Sequence, residues 1–268
     1  MPSVQPKISP KPVVRLVARG DDAGSCESAN LAIIESIERG ILGNVSLMVP
    51  GPAFEHFVQV FTRVDRSDVN LGLHITLNAE WEHPRWGPVA GASRTPGLVD
   101  AQGMFFPLPS DLEGRNVEPE QIWIELQAQY QRGIDAGLRF SYLDEHMGVG
   151  WVADFRSIFR RFAAEHGLVM AEDVPSMPWR EGVMMTSAAL IEHLRSLDQG
   201  TYVMVTHPGM DRPDMRSMVR SGRPTGEVAR ERDQDRRLLT DPALREGLRR
   251  SGVELVLYTQ AGRVASKV

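Results

Sequence analysis

Short aliphatic and β-branched runs recur along the chain, separated by stretches with helical period. Val13-Val14-Arg15-Leu16-Val17-Ala18, Val45-Ser46-Leu47-Met48-Val49, Leu71-Gly72-Leu73-His74-Ile75, Phe140-Ser141-Tyr142-Leu143, Leu168-Val169-Met170, Tyr202-Val203-Met204-Val205 and Val253-Glu254-Leu255-Val256-Leu257-Tyr258 read as seven strands. Between them, residues 28–39 place Ile33, Ile34 and Ile37 on one helical face and stop at Gly40. Residues 119–136 open on a proline suited to a first helical turn and stop at Gly137. Alternating β and α units predict a mostly parallel sheet.

No repeat or linker divides the chain, so residues 12–268 read as one α/β domain. The expected form is a distorted (β/α) barrel of seven or eight mostly parallel strands, with an open doubly wound sheet as the alternative. Residues 1–11, polar and Pro-rich, are expected to form a flexible arm. Two connections, 77–117 and 206–228, are too long for bare linkers; on a barrel such loops build the active-site mouth.

Composition narrows the function. The chain has 268 residues, 42% hydrophobic and 24% charged, enough for one sizeable core. Its net charge is −5, with basic residues scattered along the chain, so a nucleic-acid partner is not expected. The single cysteine, Cys26, offers no intrachain disulfide, which makes the cytoplasm the default expectation. No run has the length of a signal peptide or a membrane span, so neither secretion by that route nor a membrane partner is expected.

The residues suited to metal or acid–base chemistry stand where predicted strands end: Asp21 and Asp22, His74, Asp144 and His146, and His207. On a barrel all these ends share one rim. Adjacent buried carboxylates repel, and a divalent cation relieves the repulsion while leaving one of them free as a base. Each residue also has a plain alternative: Asp21-Asp22 as a solvated turn or helix cap, His74 as a satisfied core residue, His146 as a loop residue. Asp144, two before His146, is suited to orienting it. His207, at a rigid turn, suits a general acid. His56, His83, His166 and His193 read as surface or packing residues.

In order, the motifs resemble those of the YdjC-like carbohydrate deacetylases. Ala18-Arg19-Gly20-Asp21-Asp22-Ala23-Gly24 resembles the family's Asn-Ala-Asp-Asp-Phe-Gly start, and residues 45–52 its second-strand motif. Leu71-Gly72-Leu73-His74 resembles Val-Gly-Leu-His; Leu98-Val99-Asp100 with Gly103 and Phe105 resembles a loop motif; Leu143-Asp144-Glu145-His146 resembles Leu-Asp-Ser-His; and His207-Pro208-Gly209 resembles a late His-Pro-Gly. The resemblance implies a distorted TIM-like barrel, one divalent metal ion, and removal of an acetyl group from an N-acetylated sugar. Carried across, Asp22, His74 and His146 are metal ligands, Asp21 the general base, and His207 the group assisting the leaving amine or the oxyanion. Met147-Gly148 stands where the family has Gln-His, and Arg19 and Ala23 replace its Asn and Phe.

Two imidazoles and a carboxylate favour zinc, with magnesium or another divalent ion left open. Three alternatives stand beside the deacetylase. One is a facial-triad oxygenase, which the β/α pattern disfavours. A catalytically silent sugar binder keeps the fold without turnover, and a glycoside hydrolase would use Asp21 and Asp144. For the substrate, Trp81, Trp86, Phe105 and Phe106 could stack on a sugar ring and Arg19 could reach a charged substituent; alternatively the aromatics pin the long loop. A homodimer is left open.

Overall fold

The computed structural model describes residues 13–65, 67–115, 117–152, 155–179, 185–220 and 222–261. The predicted arm, 1–11, lies outside the described residues. Among the described residues, seven strands form one sheet: β1 (Val14–Ala23), β2 (Asn44–Leu47), β3 (Asn70–Ile75), β4 (Tyr142–Glu145), β5 (Val169–Met170), β6 (Gly200–Thr206) and β7 (Glu254–Leu255). Every pairing between them is parallel, in the order β5-β4-β3-β2-β1-β6, and β7 also pairs with β1. Arg15 pairs with Thr201 of β6 and with Glu254 of β7. β7 therefore shares one edge of β1 with β2, which joins further along.

The two ends of this order approach each other. Ser176, six residues past Met170, makes a parallel bridge to Val203. Met177 N–H donates to the Val203 carbonyl at 2.8 Å, and Val203 N–H to that of Pro175 at 2.9 Å. The sheet is thus a curled parallel half-barrel whose gap is spanned by a short segment. This contradicts the open doubly wound alternative.

The helices are α1 (Glu27–Glu38), α2 (Phe54–Phe61), α3 (Pro119–Asp135), α4 (Phe155–His166), α5 (Ser187–Ser196), α6 (Pro213–Arg216), α7 (Glu227–Leu239), α8 (Pro242–Ser251) and α9 (Tyr258–Ala261). α4 buries Phe155, Phe159 and Phe162 at helical spacing against the sheet side of the core. β3 is buried along its whole length, as expected of a parallel strand covered on both faces. Gly40, just past α1, is required by contact rather than by a turn. A Cβ there would lie 2.4 Å from the Leu239 carbonyl oxygen. No helix among the described residues is long and apolar enough to cross a membrane.

The long 77–117 connection has its own small core. Trp86, Leu98, Phe105 and Phe106 are buried, Phe105 N–H bonds the Trp86 carbonyl, and the Trp86 indole N–H donates to the Asn78 carbonyl at 2.9 Å. These aromatics pin the loop to the barrel, because each is packed inward and the indole's only donor is already used. The second long connection contains α6, and Glu82 N–H bonds the Val219 carbonyl to join the two loops.

Candidate active site

β1 runs through the acidic pair, so Asp21 and Asp22 are among its last residues and not in the turn beyond. Asp22 has φ 64°, a region costly for a residue with a Cβ. The Ser25 N–H and hydroxyl, both bonded to the Asp22 carbonyl, hold that conformation. Parallel register sets His74 of β3 beside Asp144 of β4, and His146 opens the turn that follows. All these groups stand at the C-terminal ends of parallel strands in one sheet and are buried.

Both imidazoles face one carboxylate oxygen. His74 Nε2 lies 3.5 Å and His146 Nδ1 3.2 Å from Asp22 Oδ1, with the rings steeply inclined. Each ring is backed by a second carboxylate: His74 Nδ1 is 3.1 Å from Asp144 Oδ1, and His146 Nε2 is 2.8 Å from Glu80 Oε2. The Glu80 contact is a hydrogen bond, which fixes the orientation and tautomer of the His146 ring, whereas Asp144 approaches His74 as an ion-pair partner without hydrogen-bond geometry. Asp144 therefore serves His74; the partner of His146 is Glu80. The other oxygen of Asp22 accepts from Arg232 of α7 at 2.5 Å. Asp21 is held by Arg19, whose Nη2 donates to Oδ2 at 2.8 Å and whose Nε is 2.7 Å from Oδ1.

The electrostatics follow from these contacts. Burial works to raise the Asp22 carboxyl, but Arg232, His146 and His74 outweigh it and hold it well below the usual carboxylate range. Burial works the other way on His74, and Asp144 and Asp21 overcome it to push the imidazole well above its ordinary value. Burial likewise opposes protonation of His146, yet Glu80 and Asp22 bring it up to about 9. The surrounding carboxylates thus favour the protonated form of both histidines. A pKa raised on folding contributes stability that is fully present below about 6.5 and lost as pH rises through about 9. Protein kept in chelator is expected to melt several degrees lower at pH 9.5 than at pH 6; thermal denaturation at the two pH values checks this, and equal melting temperatures contradict it.

A cleft of ≈ 500 Å³ opens over the cluster, lined by Asp21, Asp22, His74, Trp81, His146 and His207 together with residues of α7. A larger cavity of ≈ 600 Å³ lies at the opposite ends of the strands, near Leu42, Asp68 and Leu257, and contains none of these groups. His207 is exposed at the rim of the cleft, where its backbone N–H donates to Asp235 at 2.8 Å. Trp81 lines the cleft, with the Arg232 guanidinium 5.6 Å from the centre of its ring.

Some sequence expectations move. Trp86 and Phe105 do not line the cleft, since they are the core of the long loop. Arg19 is committed to Asp21, Asp144 and Tyr258, and is not free for a substituent on a substrate. Glu80 and Arg232 were not anticipated. Glu80 follows the third strand closely enough to have been suspected; Arg232 stands in Glu227–Leu239, a strongly charged stretch whose pattern marks no inward position.

A curled parallel sheet carries, at its C-terminal rim, a buried Asp/His cluster that could hold a metal ion, which defines an α/β protein with a polar site at the strand ends. The chain belongs to the YdjC-like protein family, whose model matches residues 15–250. It is 24% identical to a carbohydrate deacetylase of Brevibacillus brevis over 93% of this chain and 100% of that one. It is 21% identical to a carbohydrate deacetylase of Vibrio parahaemolyticus over 92% and 96%. The crystal structure of a cellobiose-phosphate cleavage protein from Enterococcus faecalis is similar with a TM-score of 0.76 at 18% identity, covering 92% of this chain and 98% of that one, which shows a shared fold.

Proposed function

We propose that this protein is a metal-dependent hydrolase that removes an acetyl group from an N-acetylated sugar or oligosaccharide. Residues 12–268 then act as one catalytic domain, a distorted TIM-like barrel. The observation that carries the proposal is the convergence of Asp22, His74 and His146, whose ligand atoms lie within 4.8 Å of one another in a buried cluster. Asp22 Oδ1, which both imidazoles face, is buried and accepts no hydrogen bond of good geometry.

Charge supports the fit. Four buried carboxylates, Asp21, Asp22, Glu80 and Asp144, are linked by contacts to two guanidiniums, Arg19 and Arg232. That leaves two negative charges, which one divalent ion neutralises with both histidines neutral, the form in which they ligate metals. Two nitrogens and one oxygen suit zinc better than magnesium. When bound, such an ion acidifies a water molecule and polarises an amide carbonyl.

The chain's own residues supply the rest. Asp21, beside the ligand Asp22, takes the proton of the attacking water at a carboxylate oxygen. His207 at the rim donates a proton to the departing amine. Trp81 gives the sugar an apolar wall on one side of the cleft. Relatives named carbohydrate deacetylases over nearly the whole chain support this choice of reaction. A glycosidase would need Asp21 and Asp144 on opposite sides of a glycosidic bond. Both instead touch one guanidinium.

Acetate release from N-acetylglucosamine oligomers tests the reading: it should vanish on chelation and return with added zinc. A fully metal-loaded protein that releases no acetate from any N-acetylated sugar would overturn it. Replacing Glu80 with Gln should weaken metal affinity by about 10- to 100-fold, since the His146 ring loses its charged partner. Competition with a chromophoric chelator reads this out, and unchanged affinity would remove Glu80 from the site.

A further inference from the structure

One guanidinium ties together two parts of the site that perform different tasks. Arg19 Nη2 donates to Asp21 Oδ2 at 2.8 Å and Nη1 to the Tyr258 hydroxyl at 3.1 Å, while Nε lies 2.7 Å from Asp21 Oδ1 and Nη1 3.1 Å from Asp144 Oδ2 as ion-pair contacts. Asp144 in turn backs His74. Beneath the site this becomes a closed ring. Ser46 donates to Asp144 at 2.8 Å and bonds the Tyr142 hydroxyl at 2.8 Å, while the Tyr142 ring packs on Tyr258 at 4.4 Å. The Tyr258 N–H is anchored by Asn44 of β2 at 3.0 Å. Arg19 is thus immobilised from several sides, with its side chain only 12% exposed.

We propose that Arg19 is a positioning residue: it fixes the direction of the base Asp21 and couples it, through Asp144, to the orientation of His74. This rests on the deacetylase reading above. The planar fork of a guanidinium can serve two carboxylates and a hydroxyl at fixed angles, whereas a lysine ammonium offers a point charge on a flexible stem. The cation of Arg19 stands between Asp21 and Asp144 and offsets the repulsion between these two buried carboxylates. Displacing a catalytic group by about 1 Å is enough to cost about 100-fold in rate.

The test is steady-state kinetics on N-acetylglucosamine oligomers, with metal content measured on the same samples. Arg19→Ala should lower kcat about 10- to 100-fold with KM nearly unchanged and the metal retained. Added guanidinium ion should restore part of kcat, and Arg19→Lys should fall between the two. A raised KM with unchanged kcat would overturn the proposal and make Arg19 a substrate contact; an unchanged kcat and KM would overturn it outright. If Arg19→Ala does not fold, Tyr258→Phe decides. It removes one hydrogen bond from Arg19, far from the reacting amide, and should lower kcat several-fold at constant KM; unchanged kcat in that variant overturns the proposal. A metal-loaded parent protein without acetate release would instead defeat the deacetylase reading, and the positioning role with it.

Discussion

Replacing Asp21 with Asn is expected to lower kcat for acetate release by about 100- to 10,000-fold, the range spanned by loss of a positioned general base. The amide keeps the shape of the carboxylate but cannot take up the water's proton. KM should change little, because nothing in the cleft's shape is altered, and metal should remain, because Asp22, His74 and His146 are intact. Steady-state kinetics and metal analysis on the same preparation check the result. A metal-loaded Asp21→Asn protein with kcat within twofold of the parent would remove the base from this position.

The second large effect is on stability. Arg232→Met should destabilise the metal-free protein by about 3–5 kcal/mol, the usual cost of stripping one partner from a buried ion pair. Arg232 donates to Asp22 at 2.5 Å, and both side chains are buried. Methionine fills part of the space but leaves a carboxylate oxygen without its cation. The metal-loaded form should lose less, since the ion itself neutralises Asp22. Denaturant unfolding with and without chelator measures both numbers. A change under about 1 kcal/mol in the metal-free protein would mean that the ion pair is far less important than its geometry suggests.

The strands of this fold are legible because parallel strands buried on two faces leave continuous aliphatic runs, as in Leu71–Ile75. Strand ends are therefore visible, and with them the convergence of Asp22, His74 and His146. What periodicity does not carry is which side chains meet across strands. Asp144 is two residues from His146 in sequence, yet register sets it beside His74. Glu80 reaches His146 because the 77–117 connection folds back over the rim through its own hydrogen bonds and aromatic core. No repeating pattern announces such a loop. Trp86 and Phe105 resemble a sugar platform for the same reason: aromatic residues in a long loop pack a small core as readily as they line a cleft, and only the three-dimensional contacts distinguish the two. Arg232 is hidden by composition, since α7 is so rich in charge that one inward arginine makes no signal among its neighbours.

Metal content by elemental analysis, on the purified protein and on His74→Ala prepared under metal-replete conditions, tests the central claim most directly. The expected result is close to one divalent ion per chain in the parent and loss of that ion in the variant. A parent protein that takes up no divalent metal under those conditions would contradict the metal-dependent reading of this site.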